Sequence, residues 1–214
     1  NSIHVPVWKE MSPFDKIDIS SPELAEYSVE HFKKLIEKAS RVGINKFVIH
    51  PSNDSVDEAE RASRIECAKA SLASLADFAA KRGAVIAVEN LPKSFLGRDS
   101  KEILELISAH PMLKVCFDTN HLFGESHSDF IKAVGNKILT PHISDYDFAS
   151  EKHLTPGEGK IDWSAIVSDL QDVEYNGMWV YEIWPKNETI STAELKNLCL
   201  NAEKIFKGEP LGEL

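Results

Sequence analysis

The sequence predicts an α/β fold on a parallel sheet, of the barrel kind, and three observations carry that reading. Short apolar runs alternate with helical stretches along all 214 residues, giving about six βα units in series. The runs are continuously apolar, as in strands buried on both faces. Polar and ionisable residues fall at or just past the C-terminal end of every run, where a parallel barrel gathers its active site. The alternation alone does not separate a closed barrel from an open doubly wound sheet. The strand-end residues favour the barrel, and no glycine-rich dinucleotide fingerprint follows the first run.

Each element has its own signal. The first run, Ser2–Val7 (SIHVPV), carries His4. A helix follows, with Ser21 as cap, Pro22 at its first position and Gly43 past its last turn. The second run, Asn45–His50 (NKFVIH), ends on His50. Ser55-Val56-Asp57-Glu58 reads as a capping box, opening a helix with the apolar stripe Ile65, Leu72, Leu75 and Phe78 and an end near Gly83. Ala84–Glu89 (AVIAVE) ends on Glu89, with a helix expected over Ser100–Ala109. Leu113–Asp118 (LKVCFD) ends on Asp118, followed by His121 and a helix over Ser128–Val134. Ile138–Ser144 (ILTPHIS) carries His142, with Asp145 just beyond and a helix over Asp162–Leu170. Met178–Ile183 (MWVYEI) carries Glu182, and a last helix covers Thr192–Phe206.

Composition narrows the function. The chain is 43% hydrophobic and 27% charged, which excludes a disordered or fibrous protein, and no apolar run is long enough to span a membrane. Lys+Arg 24 against Asp+Glu 34 leaves a net charge of −10, which argues against a nucleic-acid partner. Cys67, Cys116 and Cys199 are too scattered for a disulfide framework or a thiolate metal site, and Cys116 reads as a packed residue. A cytoplasmic location is the default expectation. A first residue other than Met suggests processing or truncation.

A lone strand-end histidine is ordinarily a structural residue. Five of the eight histidines joining several carboxylates at strand ends is a different matter, because structure alone gives no reason to bury such groups together. A divalent cation does, by offsetting the repulsion and desolvation of grouped carboxylates.

The segments VIHP, AVEN, CFDTNH, PHISD, HLTPGEGKIDW and YEIW together resemble the xylose isomerase-like TIM-barrel superfamily, which holds sugar and sugar-phosphate isomerases and epimerases together with endonuclease IV. The likeness is collinear over nearly the whole chain, and DTNH and HLTPGEGKIDW are its most specific parts. It implies a TIM (β/α)8-type barrel as a single domain over residues 1–214, lacking the first two units because the run carrying HVP matches the family's third strand. Carried over residue by residue, the family's metal site falls on Glu89, Asp118, His142 and Glu182. Three carboxylates and one imidazole suit Mn²⁺ first, then Mg²⁺, Co²⁺ or Zn²⁺.

The resemblance implies a metal-dependent sugar or sugar-phosphate isomerase or epimerase. A keto-sugar chelates the metal, an enediolate forms, and Glu89 and Glu182 transfer the proton on opposite sides of the reacting carbon. His50, His121, His153, Trp8 and Trp184 are the expected substrate-binding residues. Asp145 either orients His142 or bonds the amides of the loop that follows it. That loop contains the Pro156-Gly157-Glu158-Gly159 turn, expected to fold over the mouth. Epimerase, aldose–ketose isomerase and inositol-ketone dehydratase chemistry share the same first step, and homo-oligomerisation stays open. Two alternatives remain. A zinc-dependent endonuclease of the endonuclease IV kind would use His4 and Glu151 as extra ligands, although that pattern expects Asp where Glu151 stands. A catalytically silent sugar-binding barrel would arise if the incomplete barrel had lost activity.

Overall fold

A computed structural model describes residues 2–5, 17–184 and 191–211. Among them, six strands form one sheet in the order β1 (Ser2–His4), β2 (Lys46–Ile49), β3 (Val85–Glu89), β4 (Lys114–Asp118), β5 (Ile138–Ile143) and β6 (Val180–Tyr181). Every neighbouring pair is parallel. Six parallel strands in strict chain order, each joined to the next through a helix, form an arc of a barrel. A doubly wound sheet would reverse its order at a switch point. The arc is open among the described residues, with β1 and β6 each paired on one side.

The helices α1 (Ala25–Ser40), α2 (Arg61–Ala80), α3 (Ser100–Ile107), α4 (His127–Val134), α5 (Trp163–Asp172) and α6 (Thr192–Lys207) pack in sequence against one another. None among the described residues is long and apolar enough to cross a membrane. Side chains alternate across each strand. Phe47, Ile49, Ile86, Val88, Val115, Phe117 and Ile143 join the main core, whereas Val48, Ala87 and Cys116 form a separate small cluster. His50, Glu89, Asp118 and His142 continue the parity of that second set at the C-terminal rim. The core is closely packed: Leu72 and Leu75 on α2 are fully buried, and truncating one leucine of this kind to alanine costs about 2–5 kcal/mol.

Two helix starts differ from the sequence expectation. Ser21 does not cap with its side chain, which donates to the Glu23 carboxylate; its carbonyl instead accepts from Ala25, and the helix begins three residues past Pro22. Ser55 is no capping residue either. Its hydroxyl accepts from Ser94, and α2 starts at Arg61, whose guanidinium pairs with the buried Glu102. A local partner, Glu23, has drawn Ser21 away and a tertiary one, Ser94, has drawn Ser55. The four later helices begin within a residue of expectation, capped by Asp99, Ser126, Asp162 and the Ser191/Glu194 capping box.

Candidate metal centre

Sheet register decides which strand-end residues meet. Asp118 lies directly opposite His142 across β4 and β5, and Glu89 opposite Cys116 across β3 and β4. Glu182 follows the two-residue strand β6 and is held to β5 by its amide, which donates to the Ile143 carbonyl at 3.0 Å. The four side chains expected to bind metal therefore converge. Glu89, Asp118, His142 and Glu182 each offer one ligand atom, all within 4.8 Å of one another. His142 Nδ1 is 2.9 Å from Glu89 Oε1, 2.5 Å from Glu182 Oε2 and 3.8 Å from Asp118 Oδ2.

The electrostatics are those of a candidate cation site. Glu89 is almost fully buried, which opposes its charge, yet His142, His4 and His50 hold its carboxyl well below the usual range. Burial pushes Asp118 up to about 6, with the Glu89 carboxylate adding to the rise. Burial works against a charged His142, but the surrounding acidic groups, Glu89 among them, raise its pKa. Asp118 Oδ1 accepts from the Asn120 amide at 2.6 Å, while Asp118 Oδ2 is buried without any hydrogen-bond partner. Such an orphan is costly in a folded protein unless a ligand completes it. Three carboxylates and an imidazole around an unpartnered oxygen fit a hard divalent cation.

Two histidine groups flank the four. His4 Nε2 donates to Glu89 Oε2 at 2.9 Å, and His50 Nε2 lies 3.3 Å from the same oxygen. On the other side, His121, Glu151 and His153 gather their ligand atoms within 4.8 Å. His121 is held by the Asn90 carbonyl at 2.9 Å and is pushed up to about 10; burial opposes this, and Asp118 and Glu151 outweigh it. His153 has a φ of 45°, an unusual conformation for a residue with a side chain, and its Nδ1 donates to the Glu182 carbonyl at 2.9 Å. Trp184 is exposed and stacks on His153, with ring centroids 4.7 Å apart. Trp8 lies outside the described residues.

Asp145 belongs to its loop. Its carboxylate accepts from the amides of Tyr146, Gly157 and Ile161 and from Trp163 Nε1, and it makes no bond to His142. The Pro156–Gly159 turn packs against Asn201 and Leu211 rather than over the mouth, so His153 is the part of that loop that reaches the centre. Sequence reasoning passed over two residues that shape the site. Asn120 accepts from the His153 amide at 2.6 Å, with its carboxamide oriented by that network. Asn90 bonds the Asp118 backbone twice. The signal for Asn90 was its place directly after Glu89.

The chain belongs to the xylose isomerase-like TIM barrel family, whose pattern it matches over residues 4–200. It is 28% identical over 192 residues to the inosose isomerase of Bacillus licheniformis, spanning 78% of this chain and 66% of that protein. Its fold is similar to that of a D-tagatose 3-epimerase-like protein, with a TM-score of 0.77 at 21% identity over 97% of this chain and 78% of the other. It is also similar to the IolI protein, whose crystal structure holds a zinc atom, with a TM-score of 0.75 at 18% identity over 88% of this chain and 72% of the other.

Proposed function

We propose that this chain carries the metal centre of a sugar epimerase or isomerase that acts on a small keto-sugar. The observation carrying the proposal is the orphaned Asp118 Oδ2 among three converging carboxylates and His142. The epimerases and isomerases similar in fold and sequence support the substrate class. Glu89, Asp118, His142 and Glu182 would hold the cation, Mn²⁺ in first place, with Zn²⁺ also suited to this donor set. When bound, it polarises a carbonyl and offsets charge developing on the neighbouring oxygen.

The chain's own residues do the proton work. Glu89 and Glu182 approach His142 Nδ1 through Oε1 and Oε2, respectively, leaving a second oxygen on each. Those second oxygens remove and return a proton at the carbon beside the carbonyl. Glu89 Oε2 is steadied by His4, whereas Glu182 is the more exposed of the pair and faces incoming substrate. His50, His121 and His153 offer hydrogen bonds to hydroxyls, and Trp184 offers an apolar face for stacking at the rim. The test is exchange of the substrate's α-hydrogen with deuterated solvent, alongside elemental analysis of bound metal. Metal-loaded protein that exchanges no α-hydrogen from any keto-sugar would defeat the proposal.

A second reading rests on the two flanking groups, His4/His50/Glu89 and His121/Glu151/His153, which with the central four make three ligand sets. That arrangement favours a zinc nuclease of the endonuclease IV kind. The net charge of −10 opposes it, since a DNA backbone calls for a basic face. Metal stoichiometry separates the readings: one ion per chain for the epimerase, three zincs for the nuclease.

A further inference from the structure

We infer that Asn90 is the positioning residue of this centre: its carboxamide forms a side-chain rung that fixes Asp118 beside Glu89. The inference rests on the metal reading above and goes beyond it, because the Asn90 carboxamide is committed to the Asp118 backbone and acts on the centre only through it.

The backbone ladder between β3 and β4 runs out at this point. Glu89 pairs with Cys116, and the Asn90 amide makes the last backbone link, donating to the Cys116 carbonyl at 3.3 Å. The next amide, that of Leu91, turns away to the Gly97 carbonyl. The N–H and C=O of Asp118 therefore face β3 where it no longer offers backbone partners. The Asn90 side chain supplies both. The Asp118 amide donates to Asn90 Oδ1 at 2.7 Å, and Asn90 Nδ2 donates to the Asp118 carbonyl at 3.0 Å.

Only this side chain does the job. Aspartate of the same shape has no donor for the carbonyl, glutamine is a methylene too long, and alanine has neither function. Asn90 is fully buried, so its bonds are not shared with solvent, and its own carbonyl accepts from His121 Nδ1 at 2.9 Å. One residue thus joins the strand end bearing Glu89 to Asp118 and to His121. The consequence falls on Asp118 Oδ2, which must sit within about 0.5 Å of its working position for a metal site to function.

The experiment titrates metal-free parent, Asn90→Ala and Ser71→Ala with Co²⁺, read by visible absorption, and with Mn²⁺, read by electron paramagnetic resonance. Thermal unfolding of each metal-free protein is recorded alongside. Asn90→Ala is expected to bind both ions about 10–100-fold more weakly and to shift the Co²⁺ bands. Ser71 on α2, whose hydroxyl donates to the Ile19 carbonyl, is a likewise buried control: its alanine variant should lose thermal stability and keep metal affinity. If the parent binds neither ion, the metal reading itself fails. If the parent binds and Asn90→Ala matches it in affinity and spectrum, the role assigned to Asn90 is overturned. Should Asn90→Ala not fold, Asn90→Ser carries the same expectation. Failure of both to fold would make Asn90 a folding residue and overturn the assignment as well.

Discussion

Glu102 and Asp18 lie buried beside α2, and an arginine closes on each. Arg61 grips Glu102 through Nε at 2.5 Å and Nη2 at 2.8 Å, with its remaining donors on the Ser94 and Phe95 carbonyls. Arg64 meets Asp18 at 2.8 Å. Glu89, Asp118 and Glu182 are gathered at the strand ends, and among the described residues their ion-pair partners are all histidines. The guanidinium is a permanent cation that matches a carboxylate in shape, so the α2 region is finished on folding. The imidazoles at the strand ends present single nitrogens rather than a fork and leave Asp118 Oδ2 without a hydrogen-bond partner. Burial of acids is common to both regions; the type of counter-charge separates scaffold from site.

The contrast can be broken most directly at Glu182. Glu182→Gln keeps an oxygen for coordination but cannot carry a proton, so solvent exchange of the α-hydrogen should fall by about 10²–10⁴-fold with metal still bound. Exchange at the parent rate would make Glu182 a ligand only. The opposite behaviour is expected at Arg61. Arg61→Met leaves the buried Glu102 with only Arg98, whose Nε lies 3.4 Å away, and should cost about 3–5 kcal/mol in urea unfolding, while metal affinity stays unchanged. Saturation with metal at a hundred times its dissociation constant should stabilise the parent by about 2.7 kcal/mol, seen as a rise in Tm. Asp118→Asn should lose that gain yet, without metal, unfold later than the parent by about 0.5–2 kcal/mol, because it removes one of three mutually repelling carboxylates. A metal-free Asp118→Asn protein less stable than the parent would place Asp118 with the scaffold.

The strand runs and their terminal residues were readable in the sequence because both follow from chain-local pattern: apolar continuity, then a polar end. The convergence of Glu89, Asp118, His142 and Glu182 followed from knowing that parallel strands share one C-terminal rim. What sequence could not supply was competition between partners. Ser21 and Ser55 have the chemistry of caps, but Glu23 and Ser94 claim their hydroxyls. Asp145 stands three residues past His142, yet its donors come from as far away as Trp163. Asn90 was hidden for a related reason, since its two bonds depend on where the β3–β4 ladder ends.

The Asp145 carboxylate draws donors spread from Tyr146 to Trp163 onto a single point. Gly159 belongs to the same knot: a Cβ there would collide with that carboxylate and come within 2.5 Å of the Tyr146 carbonyl oxygen. Such a segment does not fray residue by residue. Its amides at Gly157 and Ile161 share one acceptor group, so hydrogen exchange is expected to find them exposed together rather than separately. His153 reaches the centre from this same loop, so the Asp145 knot anchors the backbone that presents it.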